Sequence, residues 1–125
     1  MHLDTHVIVW LVEGSLDKFP VAALQRLNEE PLFISPMVRF ELHLLHELKR
    51  IGPPAPDVVL AELADRLGVD VSATPWDKVI QRAAGLSWTR DPFDRLIAAH
   101  ALVDGDTLLT RDRHLHAHLT NAVWD

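Results

Sequence analysis

The chain has 125 residues, about one ordinary domain, and is 48 % hydrophobic and 24 % charged, the composition of a globular protein rather than a disordered or fibrous one. Twelve Lys and Arg face eighteen Asp and Glu, and the net charge of −6 argues against a broad basic surface for nucleic acid. With no cysteine, disulfides, thiolate metal sites and Cys nucleophiles are excluded. No apolar run approaches the roughly 18–20 residues that span a bilayer. Met1-His2-Leu3-Asp4 also lacks the basic start and apolar core of a signal peptide. The expectation is a single cytoplasmic domain over residues 1–125.

Short apolar runs alternate with longer segments of helical period. Leu3 begins a very short strand that Asp4 closes. From Thr5, Val7, Trp10 and Leu11 recur at helical spacing until Gly14-Ser15 breaks the pattern. Pro20 opens a second helix carrying Ala23, Leu24 and Leu27, and Leu32-Phe33-Ile34 reads as a buried strand. Pro36 starts a long helix through about Arg50, stopped by Gly52-Pro53-Pro54-Ala55-Pro56. Asp57 to Leu67 is helical with Gly68 as its C-cap, and Val69-Asp70-Val71 is the third strand. Helices follow from Pro75 to about Leu86 and from Asp91-Pro92 to Val103. Thr107–Thr110 is a fourth strand, Asp112–His118 a short helix and Ala122–Trp124 a terminal strand. Strands alternating with helices of this size imply a parallel sheet covered by helices on both faces. In such sheets, ligands gather beyond the carboxyl ends of the strands.

Four acids stand where that rule directs attention. Asp4 follows the first strand and Asp112 lies two residues after the fourth, so in a parallel sheet both emerge at one edge. Taken singly, each reads first as an N-cap, although a capping carboxylate keeps a second oxygen for a cation. Glu41 sits three residues from Val38 and four from Leu45, on the apolar stripe of its helix. Turning it inward costs several kcal/mol, by order of magnitude, unless a cation or donor meets it; the alternative is a Glu at the edge of the stripe, reaching water. Asp94 falls at the third helical position after Asp91-Pro92, where an acid suits the helix dipole, but it also heads the stripe Ile97, Ala98, Ala101. Asp91 suits the cap better and Asp94 the ligand. A cluster of hard oxygen donors selects Mg²⁺ or Mn²⁺ over zinc. One or two such ions would relieve the repulsion, activate a water and steady a phosphodiester in displacement.

The ordered motifs resemble the PIN-domain ribonucleases. Leu3-Asp4-Thr5-His6-Val7 is similar to the first motif of that family, and Ser35-Pro36-Met37-Val38-Arg39-Phe40-Glu41-Leu42 to the second. Arg90-Asp91-Pro92-Phe93-Asp94-Arg95-Leu96 resembles the signature of the VapC-like toxin branch, and Leu108-Leu109-Thr110-Arg111-Asp112 the last motif. The resemblance spans Leu3 to Asp112. It implies a three-layer α/β/α fold with a central, mostly parallel sheet of four or five short strands, and Mg²⁺- or Mn²⁺-dependent endoribonuclease activity. Asp4, Glu41, Asp94 and Asp112 would then be the catalytic, metal-holding quartet. Thr110 would support them, Asp91 would serve as cap and outer-shell acid, and Arg95 and Arg111 would contact RNA. It also implies a cognate antitoxin that blocks the acidic groove, DNA contact only through that antitoxin, and a homodimer. One departure is the run Leu-His-Leu-Leu-His after Glu41, where many relatives carry a Lys- or Ala-rich helix.

Other signals weigh less. His114 and His118 share a helix face, as His43 and His46 nearly do, but neither pair has a third ligand nearby in sequence. Trp10, Trp76, Trp88 and Trp124 are too scattered for a base-stacking platform, and the dispersed glycines form no phosphate loop. A receiver domain would need a paired acid after the first strand and a late lysine, yet none follows Lys78. A catalytically silent binding module of the same fold is the remaining alternative. Because the four acids carry most of the net charge, the acidity reads as a local ion site rather than a property of the whole surface.

Overall fold

The computed structural model describes residues 1–125. Five two-residue strands form one sheet: β1 (His2–Leu3), β2 (Phe33–Ile34), β3 (Asp70–Val71), β4 (Leu108–Leu109) and β5 (Ala122–Val123). The strand order is β3-β2-β1-β4-β5 and every pairing is parallel. The sheet thus has all five expected strands; β1 starts one residue earlier than expected, at His2, and the other four are trimmed to the residues that hold the ladder. The fully buried run of Leu3, Leu108 and Leu109 occupies the centre, where β1 pairs Leu3 with Leu109. The edge strand β3 is exposed and carries Asp70, a charge that discourages further pairing.

Seven helices flank the sheet: α1 (Thr5–Glu13), α2 (Val21–Glu29), α3 (Pro36–Glu47), α4 (Pro56–Leu67), α5 (Trp76–Ala83), α6 (Pro92–Val103) and α7 (Arg113–His118). A 3₁₀ turn at Leu16–Lys18, not expected from the sequence, follows α1. Helix α3 packs against α1, α4 and α6, and α5 runs along α6. This is the three-layer α/β/α arrangement. Local chemistry starts each of the helices that matter here. Asp4 accepts from Thr5 N, Ser35 Oγ from Met37 N, Asp91 from Phe93 N and Asp94 N, and Asp112 from Leu115 N. Pro36 and Pro92 occupy the first helical position, where no N–H is missed.

The expected end of α3 at Arg50 needs correction. The helix closes at Glu47, because Lys49 takes a left-handed conformation with φ 57°. Lys49 N donates to His46 O at 3.0 Å and Arg50 N to Leu45 O at 2.9 Å, the double bond of a Schellman close. Lysine is an unusual residue for that turn, and no glycine announces it. The turn redirects Arg50 and Ile51 toward α1.

Candidate active site

Asp4, Glu41, Asp94 and Asp112 line one cleft, together with Thr5, His6, Val9, Leu45, Arg50 and Ile51. The four acids come from the end of β1, the second turn of α3, the first turn of α6 and the loop after β4. They share the carboxyl edge of the sheet because β1 and β4 are adjacent and parallel.

Asp4 is buried and held at both oxygens. Its Oδ1 accepts from Thr5 N at 2.8 Å, and its Oδ2 from Thr110 Oγ1 at 2.7 Å. The same Thr110 oxygen accepts from Asp112 N at 3.0 Å, so one hydroxyl ties the ends of β1 and β4 together. The Thr5 hydroxyl donates to Glu41 Oε1, which meets the expectation that an inward Glu needs a donor. Asp112 is a cap whose Oδ1 accepts from Leu115 N at 2.9 Å while the residue lines the cleft. Asp91 lies outside the cleft lining. It caps α6 through Oδ1, at 2.9 Å from Phe93 N and 3.1 Å from Asp94 N.

Electrostatics marks Asp94 as the most stressed group. Burial first, and then the charges of Asp91, Asp4, Asp112 and Glu41, push its carboxyl up to about 7. Glu41 is also raised, by burial above all, with Asp4 and Asp91 adding to the shift and the Thr5 hydroxyl opposing it. His6 Nε2 accepts from Arg111 N at 3.0 Å, so its ring proton resides on Nδ1, 3.5 Å from Asp4 Oδ2. Burial lowers the His6 pKa, keeping the ring neutral beside the acids.

This donor set fits a hard divalent cation. Its ligand atoms are carboxylate oxygens, and burial together with their mutual repulsion disfavours the charged form of Asp94, a penalty that a bound cation would relieve. The oxygens are not drawn tightly together: no three of these acids bring ligand atoms within 4.8 Å of one another. Mg²⁺ tolerates that spacing because it keeps several of its waters.

The expected RNA contacts fare differently. Arg95 turns away from the cleft and closes the C-terminal end of α5, donating to Ala83 O at 2.7 Å and Ala84 O at 3.0 Å. It follows Asp94 in sequence but lies about 100° around the helix from it. Arg111 is exposed at the rim, its guanidinium 5.8 Å from the centre of the Trp10 ring. The cation that does line the cleft is Arg50, which the sequence reading did not single out. Thr5 and His6 were missed too, although they directly follow Asp4. The C-terminal histidines are exposed, yet each rests on a neighbour. His118 stacks on Trp88 at 4.8 Å and 9°, His114 meets Trp88 edge-on, and His116 Nε2 bonds Thr110 O at 2.6 Å.

The parallel sheet and the acids at its carboxyl edge correspond to the PIN domain, whose sequence pattern matches residues 1–118. The chain belongs to the PIN-domain family. Within it the chain is VapC-like: it is 34 % identical over 118 residues to Ribonuclease VapC22 of Mycobacterium tuberculosis (strain ATCC 25618 / H37Rv), covering 93 % of this chain and 89 % of that one. Its fold is similar to the crystal structure of VapBC2 from Rickettsia felis bound to a DNA fragment from their promoter, with a TM-score of 0.67 and 20 % identity over 99 % of this chain and 98 % of the other.

Proposed function

We propose that the acidic cleft is the active site of a Mg²⁺- or Mn²⁺-dependent endoribonuclease, and that the protein is the toxin of a toxin–antitoxin pair. The observation that carries this reading is the convergence of Asp4, Glu41, Asp94 and Asp112 on one cleft at the carboxyl edge of the sheet. Identity with a VapC ribonuclease over most of both chains supports it.

Asp4, Glu41, Asp94 and Asp112 would hold one or two ions, which when bound supply Lewis acidity and neutralise charge at the scissile phosphate. The remaining work belongs to the chain. Thr5 N and Thr110 Oγ1 fix the Asp4 carboxylate, so it needs no reorganisation when a ligand arrives. The Thr5 hydroxyl aims Glu41 into the cleft, where its free oxygen can orient a water. Asp94 would hold an ion as the carboxylate, its proton having passed to solvent. Arg50 offers a guanidinium to a phosphate oxygen at the mouth, and Arg111 a second at the rim. Asp91 orients Asp94 by capping its helix.

An antitoxin would occlude the groove. An apolar pocket of Ile8, Val12, Leu42 and Val59 adjoins the cleft and shares Val9 and Ile51 with it, offering an anchor for such a chain. A homodimer acting in the cytoplasm completes the reading, and no helix here is long and apolar enough to cross a membrane. Purified protein incubated with labelled RNA and Mg²⁺ or Mn²⁺ tests the proposal. Asp4→Asn and Asp94→Asn are each expected to reduce the cleavage rate more than about 100-fold, since even outer-shell partners of a metal cost 10–100-fold. Wild-type rates in both variants would leave a silent binding module as the better account.

A further inference from the structure

A second polar cluster, with different chemistry, lies at the other end of α6. His2 on β1 and His100 on α6 are both fully buried, with ring centroids 5.2 Å apart. Asp104, which ends α6, places Oδ2 2.7 Å from His2 Nε2 and 3.7 Å from His100 Nε2. The first distance is a hydrogen bond and the second is too long for one. His100 Nε2 therefore has no hydrogen-bond partner although it is buried and faces the carboxylate. A buried ring nitrogen without a partner costs about 1–3 kcal/mol, so its position calls for a reason.

The three ligand atoms lie within 4.8 Å of one another, and no other group of three His, Asp or Glu residues in the chain does this. We propose that His2, His100 and Asp104 form a zinc site, distinct from the acidic cleft. Two imidazoles and one carboxylate suit Zn²⁺, or Co²⁺ in its place, better than Mg²⁺. Zinc–nitrogen bonds of about 2.0–2.1 Å would need the three ligand atoms, now within 4.8 Å of one another, to close around the ion, the Asp104 carboxylate shifting to admit it.

The surroundings support two of the three ligands, while His2 Nδ1 is buried without a partner. Ser35 Oγ meets His100 Nδ1 at 3.2 Å and fixes that ring. The hydroxyls of Ser72 and Thr74 both donate to Asp104, Ser72 at 2.9 Å. A solvent-open hollow of Phe33, Ser72, Thr74 and Asp106 runs up to Asp104, giving an ion a way in and water a fourth position. Bound there, zinc would cross-link β1 to the end of α6 and act structurally.

The test uses the tag-free, full chain stripped of metal, with Co²⁺ as the visible probe. One equivalent is expected to produce the strong visible absorption of four-coordinate Co²⁺, and equimolar Zn²⁺ to displace it and raise the Tm. The absorption should persist in Asp4→Asn/Asp94→Asn and disappear in His100→Gln. Should His100→Gln fail to fold, Ser72→Ala/Thr74→Ala, which frees only Asp104, should weaken Co²⁺ binding at least about tenfold. Absence of the absorption in the wild type overturns the proposal. So does its survival in His100→Gln, its loss in the cleft variant, or unchanged affinity in the serine–threonine variant.

Discussion

The two ends of α6 carry the same side chain in opposite circumstances. Asp94 and Asp104 are ten residues, or about 15 Å, apart along one helix. At the first turn, Asp94 is half-buried among carboxylates and its pKa climbs to about 7. At the last, Asp104 accepts from Thr74, His2 and Ser72; its pKa is held below the usual carboxylate value although burial works against it. Burial disfavours both charges; donors offset it at one end and like charges reinforce it at the other. The difference separates a cluster of carboxylates that repel one another from a network in which only two buried ring nitrogens, His2 Nδ1 and His100 Nε2, lack partners. The fold tolerates the first because the rest of the core is apolar and continuous.

The largest expected effect on this contrast is on activity, where Thr110→Val should break it at its hinge. Thr110 Oγ1 joins Asp4 Oδ2 to Asp112 N. Valine preserves the shape and removes both bonds, so RNA cleavage should fall about 10–100-fold while folding is kept. Initial rates at saturating Mn²⁺ decide this.

Next comes a pair of stability changes with opposite sign. Asp94 binds its proton more tightly folded than unfolded. Its contribution is therefore full below about pH 4 and is lost as pH rises toward 7. In metal-free protein, Asp94→Asn should raise stability by about 1–2 kcal/mol at pH 8, a figure reduced for solvent screening, and the gain should shrink as pH falls to 4. Asp104 runs the other way, stabilising above the unfolded carboxylate pKa and losing this as pH falls through its lower folded value. Asp104→Asn should cost about 1–3 kcal/mol at pH 7, and less in acid. Urea midpoints of the two variants across pH give the comparison; parallel curves would dissolve it.

The smallest effect concerns how the cation of the cleft is presented. Lys49 holds a left-handed conformation that lysine adopts at a cost, and this turn directs Arg50 into the cleft. Lys49→Gly should stabilise by roughly 0.5–1 kcal/mol and leave cleavage unchanged. A loss of stability, read from the thermal midpoint, would show that the lysine side chain contributes more than its backbone costs.

Much of this was legible in the sequence, for definite reasons. The strands were readable as short apolar runs, but parallel pairing stops within two residues on each, so the last four were drawn too long, while β1 was started one residue late because His2 is polar. Asp4, Asp94 and Glu41 stood out because each puts a charge at a strand end or on an apolar stripe, a local conflict visible without coordinates. Thr5 did not, because a threonine opening a helix breaks no pattern until its partner 36 residues away is known. Arg50 was hidden by a helix end that no glycine marks. Arg95 stands beside Asp94 in sequence, but neighbours in a helix face different directions, and its guanidinium bonds the end of α5. The His2–His100–Asp104 cluster joins residues separated by 102 and by 4 positions, and only the tertiary fold unites them.

The most direct measurement of the central claim is metal add-back. Full-length protein is stripped with EDTA and freed of chelator, and then cleavage of end-labelled RNA is followed as Mn²⁺ or Mg²⁺ is restored. The expected result is no cleavage without metal, saturable recovery on its return, and none at any metal concentration in Asp94→Asn. Cleavage that persists in EDTA, or recovers equally in Asp94→Asn, would contradict the account.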